Sequence, residues 1–327
     1  MRSYWMQMSE GEAPLEVRDV PQPTHGPQQL LVQLRAAALN RGEFLLGNGP
    51  QGKAGTWKAI GGEGAGTVVA AGAEVEGFQA GDRVMGRCAG AFAEFALMEA
   101  VEAMHVPARL SDEQAAAIPL TFLVAYDMLV LQGRLQAGEW LLVNGVSSGV
   151  GVASLQLGKA LGARVIGTSG SAEKLSRLSA LGLDLGLCTR EADFAPAVMQ
   201  ATEGRGADLA VDTVGGSVFE EDLRALAYLG RLAIVGHVDR ITTARIDLAA
   251  LHTRRLSVFG VSNKMRSVAE RAATVAGFRA QMLPRFADGR IEPLIDSVFE
   301  FGRLAEAKAR MESGAHVGKI VLRIGEA

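Results

Sequence analysis

The chain has 327 residues, which is longer than a single hydrophobic core usually grows, so its length predicts two packed domains. Its 33 basic and 36 acidic residues give a formal net charge of −3 without a run of like charge, which excludes a general attraction to nucleic acid or to a membrane surface. Its two cysteines, Cys88 and Cys188, are too few for a disulfide framework and indicate a reducing compartment.

The sequence also lacks the patterns typical of export or membrane insertion. The first ten residues contain no charged start followed by a long apolar run, so they do not resemble a signal peptide. The longest apolar stretches are only long enough for strands. We therefore expect a soluble, cytoplasmic protein, with neither membrane nor nucleic acid among its partners.

The first hundred residues are predicted to be rich in β-strands. Short apolar runs at residues 30–34, 67–71 and 92–98 are separated by Gly, Pro and Asp, which favour turns. From about residue 119, helical and strand patterns alternate, which predicts a doubly wound sheet, because parallel strands cannot be joined by a tight turn. The predicted helices cover residues 122–131, 152–161, 172–181 and 219–229, and the predicted strands cover residues 140–143, 164–168, 209–212, 232–235 and 256–261. A last helix at about residues 267–287 and a strand at residues 319–324 are expected to return to the first domain.

Residues 140–151, Trp-Leu-Leu-Val-Asn-Gly-Val-Ser-Ser-Gly-Val-Gly, are predicted to form a buried strand, a glycine-rich turn and a helix start. Glycines permit close approach of the backbone to a pyrophosphate, and the free N–H groups of a helix start favour negative charge. The turn is therefore predicted to bind the phosphates of a dinucleotide, through Ser148, Gly149, Val150 and Gly151. The alternative is a turn that only reverses the chain, and Ser154 stands where a strict fingerprint has its third glycine.

The tip of the next predicted strand indicates which dinucleotide binds. Dinucleotide folds usually carry an Asp or Glu here, which accepts hydrogen bonds from the ribose hydroxyls of NAD. This chain has Ser169, Gly170 and Ser171, followed by Lys174, so hydroxyls, a helix start and an ammonium favour a 2′-phosphate. We predict NADPH as the cofactor. The alternatives are that Lys174 is a solvated helix lysine and that Glu173 opposes the phosphate.

Four motifs together carry a family resemblance. They are Gly-Asp-Arg-Val at residues 81–84, the glycine loop at 143–151, Asp-Thr-Val-Gly-Gly at 212–216 and Gly-Lys-Ile-Val-Leu at 318–322. The chain resembles, over nearly its whole length, the quinone oxidoreductase branch of the medium-chain dehydrogenase/reductase superfamily. The resemblance implies an α/β fold, with a GroES-like β-rich catalytic domain and a Rossmann domain built on a doubly wound parallel sheet. The implied boundaries are residues 1–118 for the N-terminal part of the catalytic domain, 119–261 for the Rossmann NADP-binding domain, and 262–327 for the C-terminal return to the catalytic domain.

The resemblance also implies chemistry without zinc. Zinc-dependent members place a Cys in the segment that here reads Ala-Leu-Asn-Arg-Gly-Glu at residues 38–43, and a His before the Glu of Gly-Gly-Glu at residues 61–63. Neither ligand is present, and a catalytic zinc needs three protein ligands. Without a Lewis acid, alcohol oxidation loses its usual means of lowering the hydroxyl pKa, whereas hydride addition to a conjugated carbonyl needs only donors for the developing enolate. We therefore expect NADPH-dependent reduction of a quinone or of an α,β-unsaturated carbonyl.

The resemblance places further side chains near the reaction. It implies that Asn40 projects its amide into the nicotinamide and substrate cleft, where it orients the substrate or donates to an oxyanion; a turn Asn that ends a strand is the alternative. Tyr126 matches a helix edge that faces the cofactor in relatives, and it is either a proton donor or a core tyrosine. Its neighbour Asp127 departs from the usual aromatic or neutral residue, and Leu45 and Gln51 stand where relatives often have tyrosines.

More cofactor contacts are expected at the carboxyl ends of parallel strands, where doubly wound sheets bind ligands. Thr189 stands where NADPH-using relatives often stack a tyrosine, and Arg190 beside it either supplies charge or is an ordinary surface arginine. Gly236 is expected to let the backbone approach the nicotinamide, and His237 is either an acid or a loop residue. The other candidates are Thr213, Val238, Val261 and Ser262.

Two rival functions stay open. One is another carbonyl or alcohol oxidoreductase of the same superfamily. The other is a non-catalytic dinucleotide-binding or redox-sensing protein, because a fold alone does not establish a function. The resemblance further implies a homodimer, paired through an edge strand of the Rossmann sheet at residues 232–235 or 256–261.

Overall fold

The computed structural model describes residues 1–7, 14–44 and 55–325. The strands are β1 (Arg2–Gln7), β2 (Leu15–Asp19), β3 (Gln29–Ala38), β4 (Trp57–Ala59), β5 (Glu63–Ala71), β6 (Arg83–Arg87), β7 (Phe95–Glu99), β8 (Ala103–His105), β9 (Trp140–Asn144), β10 (Arg164–Ser169), β11 (Leu185–Cys188), β12 (Ala207–Asp212), β13 (Leu226–Ile234), β14 (Ser257–Gly260), β15 (Ile295–Glu300) and β16 (Lys319–Arg323). The helices are α1 (Asp112–Ala116), α2 (Thr121–Tyr126), α3 (Gly149–Ala160), α4 (Ala172–Ser179), α5 (Ala195–Ala201), α6 (Phe219–Ala225), α7 (Leu248–Thr253), α8 (Val268–Gln281), α9 (Leu283–Ala287) and α10 (Leu304–Glu312). None of the helices in the described ranges combines the length and apolar character that spanning a lipid bilayer requires.

The chain divides into two compact units. Met1–Leu120 and Val268–Ala327 form the first, which we call the discontinuous unit, and Thr121–Ser267 form the second, which we call the inserted unit. The discontinuous unit contains the β-rich first part of the chain and its C-terminal return. The inserted unit contains the alternating helices and strands. The predicted α/β fold, with a GroES-like β domain and a Rossmann sheet, is confirmed.

In the discontinuous unit, β3 is the central strand. The main sheet has the order β15-β16-β3-β5-β6-β8, with β7 also paired to β3, and a smaller sheet has the order β2-β1-β4. β3 pairs antiparallel with β16 and β5, with Ala38 opposite Val321 and Ala37 opposite Gly64. This register brings the end of β3 to the starts of β5 and β16. The core beneath these strands is apolar, with Met6, Leu34, Phe92 and Met98 fully buried.

In the inserted unit, every neighbouring pair in the order β11-β10-β9-β12-β13-β14 is parallel. β9 is buried along its whole length, as expected for a parallel strand with both faces covered. The register aligns the strand ends in one row, Thr168, Asn144, Asp212, Ile234 and Gly260. The segments that follow β9, β10, β12, β13 and β14 therefore leave the sheet at the same edge, by which we mean the row formed by the carboxyl ends of its strands.

Three predicted helices differ from the structure. The helix predicted at residues 219–229 is wrong beyond Ala225, because Leu226 starts β13 and pairs with Ala207 of β12, so the buried parallel ladder overrides the local helical pattern. The helix predicted at 122–131 continues past Tyr126 as a π-helical turn over Asp127–Gln132. The one predicted at 267–287 is interrupted at Met282, and Pro284 lies in the first turn of α9.

Candidate functional site

The turn between β9 and α3 is shaped by close backbone packing. Gly145 has a φ of +71°, a left-handed conformation that favours glycine. Ser148 caps α3, because its Oγ accepts a hydrogen bond from the N–H of Gly151 at 3.0 Å. A Cβ at Gly151 would lie 2.4 Å from the carbonyl oxygen of Gly145, so only glycine lets the helix start this close to the turn. The first N–H groups of α3, including those of Gly149 and Val150, thus have the arrangement that binds a pyrophosphate.

A buried polar network ties the strand ends together beneath this turn. The side-chain oxygen of Asn144 accepts a hydrogen bond from Thr168 Oγ1 at 2.9 Å, and its amide nitrogen donates to Asp222 of α6. Thr213 Oγ1 donates to the carbonyl oxygen of Asn144 at 2.8 Å. These bonds join β9, β10, β12 and α6. They fix the edge from which the candidate cofactor contacts extend.

Two buried carboxyl groups belong to the same network. Burial raises the pKa of Asp212 to about 6, although its Oδ1 accepts the N–H groups of Val214 at 2.7 Å and Gly215 at 2.9 Å, which act in the opposite direction. Burial and the neighbouring Asp212 raise the pKa of Asp222 well above its ordinary value. The network therefore encloses two carboxyl groups whose charged forms are disfavoured by burial.

At the carboxyl end of β10, the side chain of Arg190 packs against Gly170. A Cβ at Gly170 would lie 2.8 Å from three atoms of Arg190, namely Cγ, Nε and Cζ, so the arginine lies directly over the glycine. Ser171 caps α4, because its Oγ accepts the N–H of Lys174 at 3.3 Å. A guanidinium, a hydroxyl and a helix start thus meet at a strand tip without a carboxylate at residues 169–171. This donor set suits a phosphate.

The segment after β11 forms hydrogen bonds that occupy the side chain of Thr189. Its N–H donates to the carbonyl oxygen of the buried Ser169 at 3.1 Å, and its Oγ1 donates to Asp193 at 2.7 Å and accepts the N–H of Glu191 at 3.0 Å. The Thr189 hydroxyl is therefore engaged within its own loop, which places Arg190, rather than Thr189, over the strand tip. Glu173 is exposed in the first turn of α4.

The remaining candidates follow β13 and β14. A Cβ at Gly236 would lie 2.9 Å from the carbonyl oxygen of Thr213, so the two segments approach closely only because residue 236 is glycine. Val261 is 8% exposed, and its N–H donates to the carbonyl oxygen of Ile234 at 2.9 Å. His237, Val238 and Ser262 are exposed at the same edge. These positions could reach a nicotinamide ring at the end of the sheet.

In the discontinuous unit, Asn40 is the centre of a charged cluster in which Glu63 and Lys319 are buried and Asn40 and Glu43 are half-buried. Its side-chain nitrogen donates to Glu63 Oε1 at 2.8 Å and to Glu43 Oε1 at 3.1 Å, and its side-chain oxygen accepts from Lys319 Nζ at 2.8 Å. Lys319 Nζ also donates to Glu63 Oε1 at 2.8 Å. Glu63 has no exposed surface, and Lys319 is 5% exposed. The four residues meet because the register joins the ends of β3, β5 and β16.

The two glutamates of this cluster have different partners. Glu63 receives the ammonium of Lys319, and its Oε2 accepts the N–H of Leu120 at 2.7 Å. Glu43 Oε2 accepts the backbone N–H of Asn40 at 3.0 Å. Burial raises the pKa of Glu43 to about 7, while its hydrogen bonds from Asn40 and the charge of Lys319 act in the opposite direction. The cluster therefore holds one firm ion pair and one carboxyl group that titrates near neutrality.

Tyr126 is 1% exposed and closes α2. Burial raises the pKa of its phenol, so the group keeps its proton at neutral pH. Asp127, which follows it, accepts a hydrogen bond from Gln132 at 3.1 Å. This burial favours the core role of Tyr126 over that of a proton donor.

Two family models match the chain, one in its β-rich first part and one in its part with alternating helices and strands. A model described as alcohol dehydrogenase GroES-like domain matches residues 26–108, and a model described as zinc-binding dehydrogenase matches residues 149–276. The human synaptic vesicle membrane protein VAT-1 homolog is 30% identical over 324 residues, which covers 94% of this chain and 82% of that protein. The chain belongs to the medium-chain dehydrogenase/reductase superfamily. Members of this superfamily bind a nicotinamide dinucleotide in the Rossmann domain, which here is the inserted unit.

Other members of the superfamily differ in length and cofactor. A phenolphthiocerol/phthiocerol polyketide synthase chain of Mycobacterium tuberculosis is 32% identical over 95% of this chain, but the chain spans only 14% of its length. Among solved structures, an NAD-dependent alcohol dehydrogenase is 33% identical with a TM-score of 0.87, covering 99% of this chain and all of that one. A mycobacterial protein complexed with NADPH is 27% identical with a TM-score of 0.88 over the same shares, and a mycobacterial quinone oxidoreductase is 27% identical with a TM-score of 0.86, covering 99% of each chain.

The residues at the superfamily's zinc position do not fit a metal ion in this chain. Gly62 stands where zinc-dependent members have a histidine, and a Cβ there would lie 2.8 Å from Glu43 Oε1. Asn40 lies in the segment where those members have a cysteine, and the ammonium of Lys319 already supplies the positive charge beside it. Within the described ranges, no three His, Cys, Asp or Glu side chains lie close enough together to hold a metal ion.

The structure groups the candidates by unit. The cofactor candidates from Ser148 to Ser262 lie at one edge of the sheet in the inserted unit, and Asn40 lies in the discontinuous unit. Leu45 and Gln51 are outside the described residues. Residue patterns alone did not predict the roles of Glu43, Glu63, Lys319, Asn144 and Asp222. The sequence signal that could have identified them is a charged or amide residue at the first or last position of an otherwise apolar strand, as at Lys319 before Ile-Val-Leu.

Proposed function

We propose that this chain is a zinc-independent, NADPH-dependent reductase that transfers hydride to a quinone or to an α,β-unsaturated carbonyl. The observation that carries the proposal is the cluster of the half-buried Asn40 with the buried Glu63 and Lys319, which fills the zinc position with hydrogen-bonded side chains. Chemistry that depends on a metal-activated hydroxyl is disfavoured there, whereas reduction of a conjugated carbonyl needs hydrogen-bond donors. Similarity to a mycobacterial quinone oxidoreductase supports the same substrate class.

The inserted unit is proposed to hold the cofactor along the edge of its sheet. The backbone of Ser148, Gly149 and Val150 would bind the pyrophosphate. The 2′-phosphate would lie at the strand tip, bound by Ser169, Gly170, Ser171 and Lys174, with Arg190 over Gly170 and Thr189 beside it. The nicotinamide would lie near Thr213, Gly236, His237, Val238, Val261 and Ser262. When bound, NADPH supplies the hydride.

The discontinuous unit is proposed to be the catalytic domain. Hydride addition to a conjugated carbonyl places negative charge on the carbonyl oxygen, and an amide N–H can stabilise that charge. Asn40 is the group we assign to this role or to orienting the nicotinamide. Its amide is held on both sides, with its oxygen toward Lys319 and its nitrogen toward the two glutamates. Tyr126, the other catalytic candidate from the sequence, is 1% exposed, so we assign it to the core rather than to proton donation.

One specific observation favours a second function. Identity of 33% to an NAD-dependent alcohol dehydrogenase suggests oxidation of an alcohol, or reduction of a simple carbonyl, with NAD or NADH. The absence of an acidic residue at positions 169–171 speaks against NADH. Metal analysis of the purified protein separates the two functions, because stoichiometric zinc would support the dehydrogenase.

The decisive test is a steady-state assay of NADPH oxidation with a panel of quinones, enals and simple ketones. We expect turnover with quinones or enals, slower turnover with simple ketones, and a lower rate with NADH. The control is Asn40→Ala, which should lose activity while keeping NADPH binding. No turnover across the panel, with NADPH bound, would favour a non-catalytic dinucleotide-binding protein.

We further propose a cytoplasmic homodimer. β14 is the last strand of the described sheet in the inserted unit, and Val258 on it is 38% exposed. Nearby in the sheet order, Tyr228 and Leu229 of β13 are 60% and 49% exposed. An exposed apolar side chain on the edge strand β14, with others on its neighbour β13, suits pairing with a second copy. Light scattering on the purified protein gives its mass directly, and a charged substitution at Val258 should dissociate such a dimer.

A further inference from the structure

The hydrogen-bonding capacity of the Asn40 amide is almost fully used within the discontinuous unit. The side-chain nitrogen has two N–H bonds, and three oxygens lie within reach: Glu63 Oε1 at 2.8 Å, Glu43 Oε1 at 3.1 Å and the carbonyl oxygen of Ala38 at 3.4 Å. The first two contacts are the shorter ones, and both go to carboxyl groups. While both glutamates accept, Asn40 has no N–H left for a substrate or for the nicotinamide.

The two carboxyl groups are held with unequal strength. Lys319 Nζ uses all three of its N–H bonds, donating to Leu39, Asn40 and Glu63 oxygens, each at 2.8 Å. Glu63 is thereby neutralised by an ammonium and fixed on both oxygens. The partners of Glu43 are two N–H groups of one residue, the backbone and the side chain of Asn40. Among the described residues of the cluster, Glu43 is therefore the group whose charge lacks a cation of its own.

We propose that Glu43 is a positioning residue for Asn40, and that a proton on Glu43 releases one side-chain N–H of Asn40 for the reaction. The inference rests on the proposed function, in which that amide meets the substrate or the nicotinamide. The backbone N–H of Asn40 holds Glu43 Oε2 as an acceptor, so the proton goes to Oε1. A hydroxyl oxygen accepts more weakly than a carboxylate oxygen, so the Asn40 N–H loses its charge-assisted bond to Oε1 and becomes free to donate elsewhere.

The charged surroundings of Glu43 agree with this role. Glu63 of β5 raises its pKa and Lys319 of β16 lowers it, while burial is the largest effect and brings the value to about 7. Among the described residues, the Cys88 thiol, which follows β6, also faces Glu43 and Glu63, and burial raises its pKa, so it stays neutral. Glu43 therefore changes charge in the range where the enzyme is proposed to work. Below about pH 7 the amide is released, and above it the amide is locked.

The direct test is a ¹H–¹⁵N spectrum of the side-chain amides of the full chain, recorded between about pH 5.5 and 8.5. The Asn40→Ser variant identifies the Asn40 signals by their loss. We expect the wild-type Asn40 signals to shift with a midpoint near pH 7, and to stop shifting in Glu43→Gln, while Glu76→Gln, a change at an exposed glutamate, leaves the titration intact. Flat wild-type signals would overturn the proposal even if Glu43→Gln failed to fold, as would a titration that persists in Glu43→Gln.

A kinetic arm separates this inference from the proposed function. With an active quinone or enal, kcat of the wild type should fall as the pH rises through about 7, and Glu43→Gln should lose that inflection while KM for NADPH stays within about twofold. An active enzyme with the same inflection in both proteins would refute the role of Glu43 alone. Inactivity across the substrate panel would instead refute the proposed function, and the spectra would still decide whether Glu43 controls the Asn40 amide.

Discussion

Replacing Arg190 with alanine is expected to weaken NADPH binding about tenfold and to leave NADH binding nearly unchanged. The guanidinium lies over Gly170 at the strand tip proposed to hold the 2′-phosphate. Two unit charges about 4 Å apart interact by about 1 kcal/mol in bulk water and by about 4 kcal/mol at an effective dielectric constant of about 20. Because Arg190 is exposed, solvent and salt reduce the effect toward the lower figure. We take about 1.4 kcal/mol, which corresponds to about tenfold in Kd.

Isothermal titration calorimetry with NADPH and with NADH measures this difference. The matched control is Arg205→Ala. Arg205 precedes β12 and therefore lies at the opposite edge of the sheet, where it pairs with Asp208 at 3.0 Å. We expect the preference for NADPH to fall in Arg190→Ala and in Lys174→Ala, and to stay unchanged in Arg205→Ala. Equal losses for the two cofactors, or no loss for either, would refute the assignment of the phosphate to this tip.

Three further changes test the packing and electrostatics of the two units. Gly151→Ala should destabilise the protein by about 1–3 kcal/mol and weaken the binding of both NADPH and NADH, because the new methyl group would lie 2.4 Å from the carbonyl oxygen of Gly145. Thermal unfolding measures the loss of stability, and calorimetry measures the loss of cofactor binding. Unchanged stability would contradict the packing argument. Lys319→Met should cost about 3–5 kcal/mol, because it leaves Glu63 buried without its cation, whereas Lys319→Arg should recover part of the loss in denaturant titrations. The pKa of Asp212 is raised to about 6 in the folded protein, so its contribution to stability is complete at low pH and is lost as the pH rises from about 4 to about 6. The difference in unfolding free energy, Asp212→Asn minus wild type, should therefore increase by about 2–3 kcal/mol from about pH 4 to about pH 8, because only the wild type loses stability in this range. A difference that does not change with pH would show that Asp212 does not titrate in this way.

The parts of the fold that could be predicted from sequence are those with a local signal. The strand, glycine turn and helix at residues 140–151 follow from residue types alone, and the structure places β9, Gly145 and α3 there. The end of α6 could not be predicted, because residues 226–229 are compatible with a helix, and it is the pairing of Leu226 with Ala207 of β12 that starts β13 there. β11 also escaped prediction, since it is a short edge strand whose exposure alternates without a strong apolar run.

The candidate site shows the same division. Gly170 and Lys174 were predicted from the sequence around them, whereas the position of Arg190 over Gly170 depends on a contact between residues 20 apart in number, so the sequence left its role open. The Asn40 cluster is harder to predict, because Asn40, Glu63 and Lys319 lie at the ends of three strands that are neighbours in the sheet but far apart in sequence. Sequence patterns identify residues that are unusual for their surroundings. Register decides which of them meet.

The Asn40 cluster also sets an order of assembly during synthesis. Lys319 lies 279 residues after Asn40, so its ammonium can reach Glu63 only after this long stretch has left the ribosome. Until then, Glu63 has no cation, and the β-rich unit lacks β15 and β16. The inserted unit is continuous in sequence and can fold earlier, since domains generally fold as units during translation. A nascent chain would therefore acquire its Rossmann fold before its proposed catalytic centre, which delays reactivity until Lys319 has been synthesised.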